Sequence, residues 1–421
     1  GSFLKANGGF LVLNAAEALQ EPGAWKALMH AVRSGQAEIT EGGLEGLATL
    51  KGTKYYVPGK VKVVLLGSPM IKMLLEKHDD AFAGNFNATA EFESNLPITE
   101  DTVASYVEFI KHAVLGSAGQ ILDLTRDAIA SSLAYCARLV DSHQKLSSQF
   151  GALFGLLREA TFWAKEAGRA EVTAADIAAS LAARQEREEG YRKHVINNYL
   201  SDLLHVATSG SEVGQINGLA VMGSFGVPAR ITVTASAGAP GMVSVDRDAG
   251  STGKSFVKAL GVVEGFLRHN FAQKKPISAH IRISFEQNYG GIDGDSATST
   301  EIYAILSRLS GVSIQQNFAV TGSADQFGNV QVIGGVNHKI EGFFALCQAR
   351  GLTGDQGIVI PAGNVGDLQL DAEVVQAVQA GKFHIYAVSH VSQGLEILTG
   401  VAYKEILRKA EARLDALRSG R

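Results

Sequence analysis

The chain has 421 residues, of which 46% are hydrophobic and 19% charged, with a formal net charge of −4. That length predicts two or three domains, each able to bury a core. The near-neutral balance, with no long run of either sign, argues against a binder of phosphate backbones. Cys136 and Cys347 are too few for a disulfide framework or a cysteine-based zinc site, and the His-Glu-x-x-His pattern of zinc peptidases is absent. No apolar run approaches about 18 residues and no secretory leader is visible, so neither a membrane span nor secretion is expected.

Residues 3–95 read as α/β. Phe10-Leu11-Val12-Leu13 follows Asn7-Gly8-Gly9 and predicts a short buried strand. Trp25, Leu28, Met29 and Val32 share one side of a helix over 25–32. Residues 61–66 predict a second buried strand, stopped by Gly67-Ser68-Pro69, and 70–77 a helix. Residues 96–190 read as helical. Val103, Val107 and Ile110 recur at helical spacing over 100–114, and helices follow over 122–137, 147–167 and 174–188. Thr173 with Asp176 three positions on is close to a capping box. Arg158 is expected on a solvated or inter-domain face. The charged run 184–189 predicts a solvated helix end, with a linker from Gly190. The resulting boundaries are 1–95, 96–189 and 190–421.

In the last region, 231–235 and 242–245 alternate in polarity and predict an antiparallel pair around Gly238-Ala239-Pro240-Gly241. Phe256, Leu260, Val263 and Leu267 line the core face of a helix over 255–271, and 280–285 is a strand. Further helices are expected over 298–309, 339–349, 371–379, 391–398 and 403–417. Gly250-Ser251-Thr252-Gly253-Lys254-Ser255 imitates a phosphate loop, but Asp248 stands where that motif needs glycine and would repel phosphate.

The chemistry concentrates between Gly290 and Lys339. Gly290-Gly291-Ile292-Asp293-Gly294-Asp295-Ser296 is a tight Gly/Asp turn ending in a hydroxyl, and Ile333-Gly334-Gly335-Val336-Asn337-His338-Lys339 is a glycine turn opening a helix. A serine needs a neighbouring base to act as a nucleophile. A lysine serves only when neutral, and burial lowers its pKa by up to roughly 3–5 units. Val330, Val332, Ile333, Val336, Ile340, Phe343 and Phe344 supply apolar surroundings for Lys339, whereas Glu341, two positions on, points elsewhere. Thr300 lies four residues after Ser296 on the same helical face and is expected to hold the lysine amine. The glycine turn allows backbone N–H groups to converge as an oxyanion hole. The competing reading is structural: Asp295 or Ser296 merely caps a helix, and Lys339 is solvated. His338 is expected to point away from the site.

These residues, with Gln215–Val221, Ile283–Tyr289, Phe318–Ser323, Gly328–Gly335 and Gly357–Asn364, resemble the proteolytic domain of the Lon family over roughly residues 195–400. The resemblance implies Ser296 as nucleophile, Lys339 as general base and Thr300 as the residue supporting the lysine; Asp295, just before the serine, is read from its position as orienting the turn or raising the lysine pKa, with turn-capping as the alternative. Ala220, Val221 and Met222 sit on a strand that resembles the substrate-side edge of that domain, with plain core packing as the alternative, and Asp293 is read as lining the pocket. The Gly-Asp-Ser form points to the LonB and LonC side of the family. Lys5–Ala15 resembles the Walker B strand of a Lon AAA+ module, but Asn14 and Ala15 stand where that motif has Asp and Glu, so magnesium binding and water activation are lost. A phosphate loop would precede this strand, so it is expected upstream of residue 1 or has been lost.

The implied fold class is α/β multidomain: a partial, degenerate AAA+-like α/β module, a helical α-domain and an α+β Lon proteolytic domain. The implied activity is ATP-independent degradation of unfolded polypeptides by a cytoplasmic homohexamer, with no cofactor, metal, nucleic acid or membrane partner. An ATP-dependent relative and a non-catalytic holdase are the alternatives.

Overall fold

The computed structural model describes residues 2–39, 55–58, 60–223, 225–238, 241–288 and 290–419. Ala239, Pro240 and Tyr289, which enter the readings above, lie outside the described residues. The chain forms two compact units, Gly1–Phe92 and Glu93–Arg421.

In the first unit, β1 (Phe10–Asn14) pairs in parallel with β2 (Lys62–Leu66). Both alternate between exposed and half-buried residues, with Phe10 66% and Leu66 57% exposed. This corrects the expectation of two buried strands: an apolar run is buried on both faces only when layers cover both. Helices Ala24–Ser34 and Pro69–His78 form close to their expected bounds.

In the second unit, residues 93–200 are helical. Glu100–Gly116, Arg126–Arg138, Phe150–Glu166 and Ala174–Leu200 enclose Tyr106, Ile110, Leu153, Leu156, Leu157 and Ile177. Thr173 and Asp176 form a full capping box, and Arg158 is exposed. The last helix runs 27 residues without a break at Gly190, so no linker begins there. A helical glycine costs only about 1 kcal/mol against alanine, and the Glu189–Lys193 ion pair spans the position.

Beyond it lies a seven-stranded sheet with the order β5-β6-β4-β3-β7-β8-β9. Its strands are β3 (Gln215–Met222), β4 (Phe225–Ala237), β5 (Gly241–Ser244), β6 (Ala279–Phe285), β7 (Phe318–Val320), β8 (Gly357–Pro361) and β9 (His384–Val388). β5 pairs in parallel with β6, and β6 lies between it and β4. The expected β4–β5 antiparallel pair is therefore not formed, because the buried, alternating β6 takes both neighbours.

Two helices cover opposite faces of the sheet. The serine helix, Thr298–Ser310, packs Ile302, Ile305, Leu306 and Leu309 with Ile231, Val233, Ile281 and Ile283. The lysine helix, Val336–Arg350, packs Val336, Ile340, Phe343 and Phe344 with Leu219, Ala319, Ile358 and Ile360. β3, β6, β7 and β8 all end on the same side of the sheet, where ligand sites form in such folds.

Two glycines set the depth of the lysine helix. A Cβ on Gly226 of β4 would lie 2.1 Å from the His338 carbonyl oxygen, and one on Gly342 would lie 1.9 Å from the Gly226 carbonyl oxygen. Helix and strand therefore touch backbone to backbone. The opposite side of the lysine helix is tied to the helical region: Arg138 pairs with the buried Glu341 at 2.6 Å, and Asn337 donates to the Asp141 carboxylate at 2.8 Å. The turning of Glu341 away from Lys339 is thus a consequence of the helical period.

Candidate active site

At the carboxyl ends of these strands lies a cleft of about 390 Å³ lined by Leu219, Ala220, Val221, Phe285, Ser296 and Lys339, among others. The helix that follows the serine and the helix that carries the lysine lie on opposite faces of the sheet, yet both residues line this one cavity past the sheet's end.

Lys339 sits in the first turn of its helix, opened by Gly335 in a left-handed conformation (φ 68°). Its side chain is buried, and burial lowers the amine's pKa from 10.5 to about 8, opposed by the nearby Asp295 carboxylate. The amine donates to Thr321 Oγ1 at 3.0 Å, and that hydroxyl donates to the Ser296 carbonyl oxygen at 3.3 Å. Thr321 is the residue the sequence reading missed. Thr300, expected to hold the amine, instead aims its hydroxyl at the Val320 carbonyl oxygen at 3.4 Å. The helical four-residue spacing does not apply, because Ser296 lies in the turn before the helix, which starts at Thr298. Thr321 arrives from the end of β7, which no local spacing reveals.

Neither Asp295 nor Ser296 caps the serine helix with its side chain; Ala297 occupies the cap position without a side-chain bond. Asp295 accepts from Ser323 Oγ at 3.0 Å, and its backbone carbonyl receives the Thr298 N–H and hydroxyl. The Ser296 hydroxyl has no hydrogen-bond partner among the described residues and opens to the cleft at a helix start, whose dipole favours a developing oxyanion. In the preceding turn, Gly291 and Gly294 have positive φ (87° and 111°). The N–H groups of Gly290, Ile292 and Gly294 are already donated to Asn288, Ser251 and Asp293. The N–H groups of Gly291, Asp293, Asp295, Ser296 and Ala297 have no acceptor among the described residues, so the glycine turn is only partly available as a set of donors.

Asp293 borders the cleft, but its carboxylate accepts the N–H groups of Gly294, Ser255 and Phe256, which hold its pKa low. It closes the start of helix Lys254–Phe271, and this explains the false phosphate loop: a carboxylate of the chain already fills that anion position. Ala220 and Val221 line the cleft. Met222 lies outside its lining and meets the Tyr191 hydroxyl at 3.1 Å. β3 pairs with β4 along its whole length but with β7 only at Asn217 and Gly218, so the other edge of Leu219–Met222 has no strand partner among the described residues.

The Thr321 bond makes a direct prediction. A hydrogen bond to a charged or titrating group contributes about 1.5–3 kcal/mol, so Thr321→Val is expected to lower kcat roughly 10- to 100-fold. Thr321→Ser should restore most of it. An unchanged kcat in the valine variant would remove Thr321 from the site.

Three family models match this chain. A LonB-like AAA domain covers residues 1–93, an archaeal LonB AAA+ ATPase LID domain 123–187, and the Lon protease (S16) C-terminal proteolytic domain 194–400. Among curated proteins, a putative Lon protease homolog of Escherichia coli is 30% identical over 417 residues, covering 95% of this chain and 68% of its own length. One from Haemophilus influenzae is 31% identical, covering 94% and 66%. An archaeal Lon protease of Halobacterium salinarum is 26% identical, covering 97% and 56%. This chain thus spans about two thirds of the length of these bacterial relatives, and the matched proteolytic domain contains the cleft described above; it belongs to the Lon protease family.

Proposed function

We propose that the chain is an ATP-independent serine endopeptidase that cleaves unfolded polypeptides through Ser296 and Lys339. The observation that carries this reading is a lysine whose amine is buried, tied to a hydroxyl rather than a carboxylate, and placed in the same cleft as an uncommitted serine. Neutral Lys339 takes the Ser296 proton as Oγ attacks the peptide carbonyl carbon. The resulting oxyanion faces the undonated N–H groups of the turn at Ser296. The protonated amine then returns its proton to the leaving nitrogen, the C–N bond breaks, and an acyl-enzyme remains. Water, deprotonated by Lys339, hydrolyses that ester and restores Ser296.

A substrate strand added to the open edge of Leu219–Met222 would present its carbonyl to Ser296. Such addition needs an extended, unfolded chain. ATP independence is supported by Asn14, whose side chain is spent capping the following helix through the N–H groups of Ala16 and Glu17, and by the buried methyl of Ala15. A homohexameric ring, as the family resemblance implies, would keep folded proteins from the cleft.

The test is degradation of an unfolded casein with and without ATP and magnesium, beside the Ser296→Ala protein. Equal rates in both conditions and no cleavage by the variant are expected. Strict dependence on ATP would transfer the chain to the nucleotide-driven class, and cleavage surviving in Ser296→Ala would overturn the nucleophile.

A further inference from the structure

The serine helix carries a carboxyl group that the mechanism above does not use. Glu301, five residues after Ser296, is fully buried, and neither of its carboxyl oxygens has a hydrogen-bond partner among the described residues. Buried carboxylates are strongly disfavoured without a partner, so the uncharged acid is the form this site tolerates.

The group that acts on it is also acidic. Asp246, in the short helix Val245–Asp248, is 7% exposed and accepts the Phe285 N–H at 3.0 Å. Phe285 is a wall of the cleft. The same turn receives the N–H and hydroxyl of Ser251 on the Asp246 carbonyl, and the Ser251 carbonyl receives the Ile292 N–H, another cleft residue. On the other side, the Glu301 N–H donates to the carbonyl of Ala297, which also lines the cleft. The two acids thus lie behind two different walls of one cavity.

Among the described residues neither acid is part of an ion pair. Glu286 acts on Asp246 and adds negative charge. From helix Lys254–Phe271, Lys254 and Lys258 are exposed and Glu264 is paired with Arg268. From Tyr403–Ser419, Lys404, Arg408, Lys409 and Arg413 are exposed, and Tyr403 acts on Tyr303. Glu396, of helix Val391–Thr399, accepts the Tyr403 N–H. Arg230 on β4 has the parity opposite to Ile231 and Val233, which face the serine helix.

We infer that Glu301 is a positioning residue: as a neutral acid it lets the serine helix and the Asp246 turn close as the two walls behind Ser296, and its ionisation opposite Asp246 forces them apart. Burial pushes its carboxyl up to about 8, and the Asp246 charge adds to the rise. The activity readout rests on the peptidase reading; the spectroscopic readout does not.

In wild type, kcat/KM should fall on the alkaline side of about pH 8, by up to roughly tenfold per pH unit for one titrating proton. Glu301→Gln cannot ionise and should lose that falling limb while keeping the rising limb set by Lys339. Asp246→Asn removes the neighbouring charge and should move the fall to lower pH. A falling limb unchanged in Glu301→Gln overturns the inference. If that variant does not fold, an unmoved limb in Asp246→Asn does so. Infrared titration of the Ser296→Ala protein should show a protonated carboxyl band that disappears near pH 8 and is absent after Glu301→Gln is added. Its absence at pH 7 in the single variant would sink the proposal even if no substrate were ever cleaved.

Discussion

Replacing Lys339 by methionine will abolish peptide cleavage and, at pH 7, raise the melting temperature. Loss of a general base that acts as a unit with its nucleophile costs at least about 10³-fold in kcat. The stability gain follows from linkage. The amine's pKa falls from 10.5 in the unfolded chain to about 8 in the folded one. The unfolded chain therefore binds the proton more tightly, and the folded state carries a penalty below pH 8 that fades as pH rises toward 10.5. Methionine has no charge to bury and removes a penalty of about 3 kcal/mol at neutral pH. The advantage of the variant should shrink above pH 8 and vanish by about pH 10.5. In wild type, kcat/KM should rise with pH toward about 8 as the amine loses its proton. Thermal unfolding of both proteins across this range checks the sign. A melting temperature lowered at pH 7 would show that burial does not disfavour the charged amine.

Gly342→Ala should go the other way, destabilising the protein and silencing it together. Helix propensity alone favours alanine over glycine by about 1 kcal/mol. Here the added methyl would lie 1.9 Å from the Gly226 carbonyl oxygen, a backbone atom that cannot rotate away. Overpacking of that kind costs about 1–3 kcal/mol, so the clash wins, and relief requires the lysine helix to lift off β4. A displacement near 1 Å carries the amine away from Thr321 and Ser296 and is enough to cost about 10²-fold in rate. Gly261→Ala is the control. That glycine lies inside helix Lys254–Phe271 with open space where a Cβ would go, so the same change should be neutral or stabilising. Wild-type turnover in Gly342→Ala would mean that the backbone contact does not set the position of Lys339.

Much of the secondary structure was legible because the period of apolar residues survives in each segment. The helix carrying Phe256, Leu260, Val263 and Leu267 forms with all four buried, and the Thr173 cap operates as its sequence suggests. Where reading failed, the cause was a partner distant in sequence. Thr300 lies four residues after Ser296, but the helix starts only at Thr298 and the Thr300 hydroxyl turns to Val320. Asp293 sits in the turn before Ser296, yet a helix start some 40 residues earlier claims its carboxylate. Met242 alternates like an antiparallel strand but runs parallel to β6, because sheet order is a property of the whole domain. Glu301 drew no notice, since nothing in the order of residues announces that every face of the serine helix is covered.

Residue type and spacing alone establish that a serine in a Gly/Asp turn and a lysine amid apolar residues are present. Those are properties of the covalent chain and its local periods. That the serine and lysine share one cleft, that Thr321 bonds to both residues, and that Gly226 and Gly342 fix the depth of Lys339 depend on contacts between segments tens to more than a hundred residues apart. The energy of a buried charge or a backbone contact belongs to its surroundings, and only the packed sheet and its two opposing helices supply them.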